Sequence, residues 1–158
     1  MAEDDTAPQG PPEPDPALKQ LEFFVGTWAM KGRTLDSDED NVSGQTRFEW
    51  LPGGFFLQQR IELDFAGYAI QGLEVIWYDP ATGKFPSTVF PSMSGVPIPY
   101  EYDVRGNDVT ITTELFGGAT FTGRLSEDGN TFSGGWRPNP GVDNPGNIAY
   151  DIAGTRTE

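Results

Sequence analysis

From Gly26 to Arg156 the chain alternates apolar and polar residues with a period of two, the mark of strands buried on one face. In the first such segment Trp28, Met30 and Gly32 share a face opposite Lys31 and Arg33. A second sets Thr46, Phe48 and Trp50 against Gln45, Arg47 and Glu49. The third alternates most cleanly. Phe55, Leu57, Gln59, Ile61, Leu63 and Phe65 line one side, and Gln58, Arg60, Glu62 and Asp64 the other. Further strands are predicted over residues 70–78, 85–91, 99–105, 108–116, 119–126, 130–137 and 147–157.

The segments between them carry turn chemistry. Asp79-Pro80-Ala81-Thr82-Gly83 supplies a proline for the first bend and a glycine for a left-handed position. Gly106-Asn107-Asp108, Gly117-Gly118 and Glu127-Asp128-Gly129-Asn130 read as tight hairpins. The stretch from Pro138 to Asn147, rich in Pro, Gly and Asn, is predicted to be a loop at a barrel rim. Short, evenly spaced strands with a turn signal between each pair predict an all-β fold. We expect a single closed up-and-down antiparallel β-barrel of nine or ten strands with a short N-terminal helix.

Closure has its own signal. Ile148, Tyr150, Ile152, Gly154 and Arg156 alternate onto one face of the last strand, which puts Arg156 on the apolar side. In a closed barrel the first and last strands meet, so Arg156 is expected to stack on Trp28 at one end. Ahead of the barrel, Pro16 to Phe24 has a proline at a helix start and apolar residues at Leu18, Leu21 and Phe24. This segment is expected to be a lid or plug at one mouth. Residues 1–16 hold five prolines, five acids and no base. They are predicted to be a disordered acidic tail, leaving 17–158 as the barrel domain.

Composition narrows the function classes. Ten basic against 24 acidic residues give a net charge of −14, and no cluster of Lys and Arg is visible. That argues against nucleic-acid and anionic-membrane partners. Glu3, Asp4 and Asp5 stand where a signal peptide needs a basic start and an apolar run, and no cysteine is present; both fit a cytoplasmic protein. With no histidine either, a Ser-His-Asp triad, a cysteine nucleophile and a His-ligated metal or haem are excluded. Asp36-Ser37-Asp38-Glu39-Asp40 begins like a calcium loop, but Asn41 and Arg47 stand where Gly and Glu are needed. The segment is therefore read as a solvated acidic hairpin tip, and no metal or cofactor is expected.

Gly26-Thr27-Trp28 after a short helix, with Gly154-Thr155-Arg156 on the last strand, resembles the calycin superfamily of lipocalins and fatty-acid-binding proteins. In those barrels a Gly-x-Trp opens the first strand and a late Arg packs across the indole. More narrowly, residues 20–157 are similar to an uncharacterised bacterial family of calycin-like domains. The matching blocks are Val25 to Trp28, Leu51 to Leu57, Ile76 to Gly83 and Ser126 to Asn130. The resemblance implies the barrel fold but brings no agreed activity. A related group of barrels binds haem through a histidine, and this chain has none.

Three functions are compatible with these residues. The first is a small hydrophobic ligand-binding barrel, its ligand site expected from Trp50, Leu57, Gln59, Phe90, Tyr100, Phe121 and Trp136. Gln59, the one amide on an apolar strand face, would orient a ligand carbonyl or else bond a core tyrosine. The second is a cofactor-free isomerase or cyclase acting on a hydrophobic substrate in the cavity, with Glu74 and Tyr100 as catalytic candidates. Glu74 lies in a strand apolar on both faces, so its direction is not fixed by the pattern. If inward, desolvation would raise its pKa and make it a usable base. The third is a structural or interaction module packed solid. Small residues at Gly72, Ser92, Gly123 and Gly134 either leave the interior underfilled or mark strand coiling. The expected partner is a small apolar molecule, and a homodimer is left open.

Overall fold

The computed structural model describes residues 10–158. Ten antiparallel strands close into one barrel, each paired with its sequence neighbours and the last with the first. They are β1 (Gly26–Thr34), β2 (Val42–Trp50), β3 (Leu57–Phe65), β4 (Tyr68–Ile76) and β5 (Phe85–Pro91), then β6 (Ile98–Arg105), β7 (Asp108–Thr113), β8 (Ala119–Leu125), β9 (Thr131–Pro138) and β10 (Tyr150–Arg156). The all-β closed barrel expected from the alternation is the observed fold, with ten strands. Its boundaries differ from the expected ones in places. Phe55 falls in the β2–β3 loop, β7 ends at Thr113 before a 3-10 turn at Leu115–Gly117, and residues 147–149 precede β10. The β3–β4 hairpin turns on Ala66-Gly67, both with positive φ, a pair with weaker turn signal than the Gly-Asn and Gly-Gly sites. Among the described residues no helix is long and apolar enough to cross a membrane.

The N-terminal helix spans Pro16–Phe24 and is a 3-10 helix. Its buried residues are Leu18, Leu21 and Phe24, spaced by threes, which fall in line at three residues per turn and not at 3.6. Runs of this length are uncommon for a 3-10 helix, and here its apolar edge is held against the barrel end. Phe24 stacks on Phe48 with ring centres 4.9 Å apart and meets Phe132 edge-on at 5.5 Å. Asp15 caps the helix, its carboxylate accepting from the Ala17 N–H at 2.9 Å, and Pro14 approaches Gly54. Ordered contacts therefore begin before residue 17, where the acidic tail was expected to end. The rest of that expected tail, residues 1–9, lies outside the described residues.

Trp28 and Arg156 are direct cross-strand partners. The guanidinium carbon lies 4.3 Å from the centre of the indole ring. Arg156 also donates to the carbonyls of Phe23, Val25 and Gly129, while the Trp28 indole N–H donates to the Phe24 carbonyl at 2.8 Å. One arginine thus answers the orphan carbonyls at the helix end and ties them to β1, β10 and the β8–β9 turn. Gly26 must be glycine for this arrangement. Its φ is +130°, and a Cβ there would strike the Glu158 carbonyl and the Arg156 guanidinium.

Connectivity sorts the loops. Those after β1, β3, β5, β7 and β9 gather at the end away from the helix, and those after β2, β4, β6 and β8 at the helix end. Inward side chains change along the axis accordingly. Trp28, Phe48 and Tyr102 near the helix are buried, whereas Ile61, Leu63, Phe65 and Ile152 toward the far end are half-exposed. The helix plugs one end; at the other, Phe65 meets Tyr150 edge-on at 4.8 Å, and their register partners Val42 and Thr34 are buried.

Candidate functional site

An internal cavity of about 190 Å³ runs from the Phe24 plug toward the far end, where Leu63, Tyr150 and Ile152 line it. Its floor is Phe24 and Phe48. One wall is aromatic, with Phe121, Phe132 and Trp136 from β8 and β9, and Trp28, Met30 and Ile152 complete it. Phe121 lies 5.8 Å from Phe132 and 5.6 Å from Trp136, centre to centre. The opposite wall, from β2 to β6, carries the polar groups Thr46, Gln59, Glu74, Tyr100 and Tyr102, and Tyr150 stands nearer the mouth.

Two of the small inward residues, Gly123 and Gly134, do not make this space. A Cβ at Gly123 or Gly134 would collide with the Phe121 ring, which lies flat across both positions. These two glycines let an aromatic ring rest on the sheet, the coiling alternative to underfilling. Ser92 is exposed in the β5–β6 connection, where its hydroxyl accepts from the Gln71 N–H.

Glu74 points inward and is 2% exposed. Ser87 Oγ donates to its Oε2 at 2.6 Å, and the Tyr102 hydroxyl lies 2.9 Å from both carboxylate oxygens. Parity explains the cluster. Glu74 pairs with Gln59 on β3 and Val89 on β5, Ser87 stands two residues from Val89 on the same face, and Tyr102 reaches across from β6. Burial pushes the Glu74 carboxyl from an ordinary 4.5 up to about 7, against the lowering effect of the Ser87 and Tyr102 hydroxyls. Burial and the Glu74 charge push the Tyr100 hydroxyl up to about 12 and hold Tyr102 well above its ordinary value. Burial, with a smaller effect from Tyr100, raises Tyr150 as well. At neutral pH the tyrosines are therefore hydrogen-bond donors and acceptors, and Glu74 is the group that changes charge.

Gln59 is tied to Thr46. Its Nε2 donates to Thr46 Oγ1 at 2.6 Å, and that hydroxyl gives its own proton to the Arg60 carbonyl at 3.0 Å. With the only hydroxyl proton spent, Thr46 must accept from the amide, which fixes the nitrogen toward Thr46. The amide oxygen has no donor among the described residues. The core-tyrosine partner considered for Gln59 is not the one found.

Of the residues expected at the ligand site, Gln59, Tyr100, Phe121 and Trp136 line the cavity, as does Glu74. Three others stand elsewhere. Trp50 and Leu57 have inward parity, but they pair with each other at the plugged end. There Leu57 is fully buried and the Trp50 indole N–H donates to Glu22 on the helix at 2.9 Å. Phe90 is on the outer face and 46% exposed, because β5 turns Phe85, Ser87 and Val89 inward. The alternation by itself assigned no site role to Ser87, Thr46 or Tyr102. A polar residue at an inward parity position was the available signal for the first two. Among the described residues no three carboxylates converge at the acidic hairpin 36–40 or elsewhere.

A family model described as "Protein of unknown function (DUF1579)" matches residues 13–132. The chain belongs to this family. The match runs from the helix into the start of β9, so in this DUF1579 protein Arg156 and β10 lie beyond the matched stretch. No curated protein matches it. Among solved structures it is similar to the crystal structure of Rv2717c from M. tuberculosis, with 14% identity and a TM-score of 0.62. That likeness covers 92% of this chain and 100% of the other. At such identity it is a likeness of fold.

Proposed function

We propose that this DUF1579 barrel binds a small, mostly apolar molecule in its interior. The observation that carries the reading is an internal cavity with an aromatic wall, closed off at the helix end by Phe24. Burial of apolar ligand surface would supply most of the affinity, at about 25 cal/mol per Å². The few polar groups on the opposite wall would fix the pose. The resemblance of Gly26-Thr27-Trp28 and Arg156 to calycin barrels supports the same reading. A barrel packed solid would have no such space. Because Trp28 and Trp136 line the cavity, an apolar fluorescent probe should quench tryptophan emission saturably and be displaced by the natural ligand. Native mass spectrometry of protein purified from its own host should show a retained apolar molecule. A bare barrel that takes up no probe would return the structural-module reading.

A second reading, cofactor-free acid–base catalysis such as an isomerisation, is favoured by one observation. Glu74 is a buried carboxyl held by two hydroxyls and poised near neutral pH, where a proton-transfer group works best. Glu74 would move the proton, and the Tyr100 hydroxyl would polarise an oxygen of the substrate. Turnover of a bound compound, abolished in Glu74→Gln with binding retained, would establish it.

A further inference from the structure

Glu74 is the one side chain carrying formal charge among the residues lining the cavity, which include no Lys and no Arg. Arg156, which faces inward opposite Trp28, is committed to the carbonyls of Phe23, Val25 and Gly129 at the plugged end. A carboxylate ligand would therefore enter an apolar space with no cation to meet it and with a second carboxyl in the wall. Two carboxyls in such a site cannot both ionise without a large penalty, so one must take up a proton. The remaining polar groups suit a different head. The free Gln59 amide oxygen and the unused lone pairs of Glu74 accept hydrogen bonds, and the Tyr100 hydroxyl, without a protein partner among the described residues, can donate or accept.

We infer that the site selects ligands with an uncharged hydroxyl-type head on a flat apolar body and excludes fatty-acid-like carboxylates, with Glu74 as the residue that sets this choice. The inference rests on the cavity-binding reading above and adds the ligand class to it. A hydroxyl gives its proton to Gln59 Oε1 and accepts from Tyr100, two groups that otherwise have no partner among the described residues. A carboxylate has no proton to give at neutral pH.

The test compares two probes sharing one ring system, 2-naphthol and 2-naphthoate, by calorimetric titration into the full chain. At about pH 8 naphthol should bind at least about tenfold more tightly, since ionised Glu74 and the naphthoate group oppose each other. In Glu74→Gln naphthoate should gain about tenfold, and naphthol should change less than about threefold. Should that variant not fold, lowering the pH of the unaltered protein from about 8 to about 6 serves instead, because it neutralises Glu74 while naphthoate stays ionised. Naphthoate affinity should then rise and naphthol affinity stay flat. The other groups facing Glu74 are Gln59 from β3, Ser87 from β5, Tyr100 and Tyr102 from β6 and Tyr150 from β10, and none of them titrates in that range. Equal binding of the two probes, or a preference for naphthoate, would overturn the assignment of ligand class while leaving the cavity reading intact. A naphthol preference unmoved by Glu74→Gln and by pH would remove Glu74 from that role. Failure of both probes to bind would overturn the cavity reading and this inference with it.

Discussion

The two ends of the barrel solve opposite problems with the same strands. At the plugged end the backbone is tied down: Arg156 answers three carbonyls, the Trp28 indole answers a fourth, and Leu18, Leu21 and Phe24 cover the core. At the mouth, Leu35, Met93, Val96, Phe116 and Ile148 stand exposed in the connections, with Tyr68 beside them at the start of β4. Among the described residues, Phe56 is the one large apolar side chain comparably exposed at the plugged end. One end is built for stability. The other holds apolar surface in water, a cost that fits the proposed uptake of an apolar ligand.

The strongest way to break this contrast is at the plug. Trp28→Ala removes a fully buried indole, its stack with Arg156 and its bond to Phe24, and should cost about 3–5 kcal/mol in denaturant unfolding. A midpoint left where it was would show that the plug does not hold the barrel closed.

Next in size is the charge buried between the two ends. Glu74 holds its proton more tightly in the folded chain than in the unfolded one, about 7 against 4.5. Its contribution is therefore complete below the unfolded value and is lost as pH rises to the folded one, so that above neutrality its ionisation costs about 3 kcal/mol. Glu74→Gln should melt higher than the parent at about pH 8.5, with the gap closing toward about pH 4.5. A gap independent of pH would mean that Glu74 is not desolvated.

A smaller effect is expected at the rim of the plug. Asp15→Ala removes the cap on the 3-10 helix and should cost about 1 kcal/mol by thermal melting. The smallest belongs to the mouth. Val96→Ser and Met93→Ser should each change stability by less than about 0.5 kcal/mol, since neither side chain is packed. Their consequence should instead be slower uptake of an apolar probe, read by stopped-flow tryptophan quenching. A large loss of stability there would mean that these side chains pack on something and that the mouth is not a free rim.

Alternation along the chain determined a great deal by itself. It pointed to nine or ten strands, their order and the inward set Trp28, Phe48, Gln59, Phe121, Trp136 and Arg156, because a period of two assigns a face wherever one side is polar. The same logic fails where both faces are apolar. In β4, Leu73, Val75 and Ile76 surround Glu74, so only closure of the barrel decided that the carboxyl points in. Nor does parity carry depth. Trp50 and Leu57 have the right face but lie under the helix, and that depth was set by where Phe24 lodges. Finally, the Glu74, Ser87 and Tyr102 cluster joins three strands separated by up to 28 residues. Each is an ordinary residue in its own strand, and their chemistry exists only because the sheet curls and brings three inward faces within a hydrogen bond of one another.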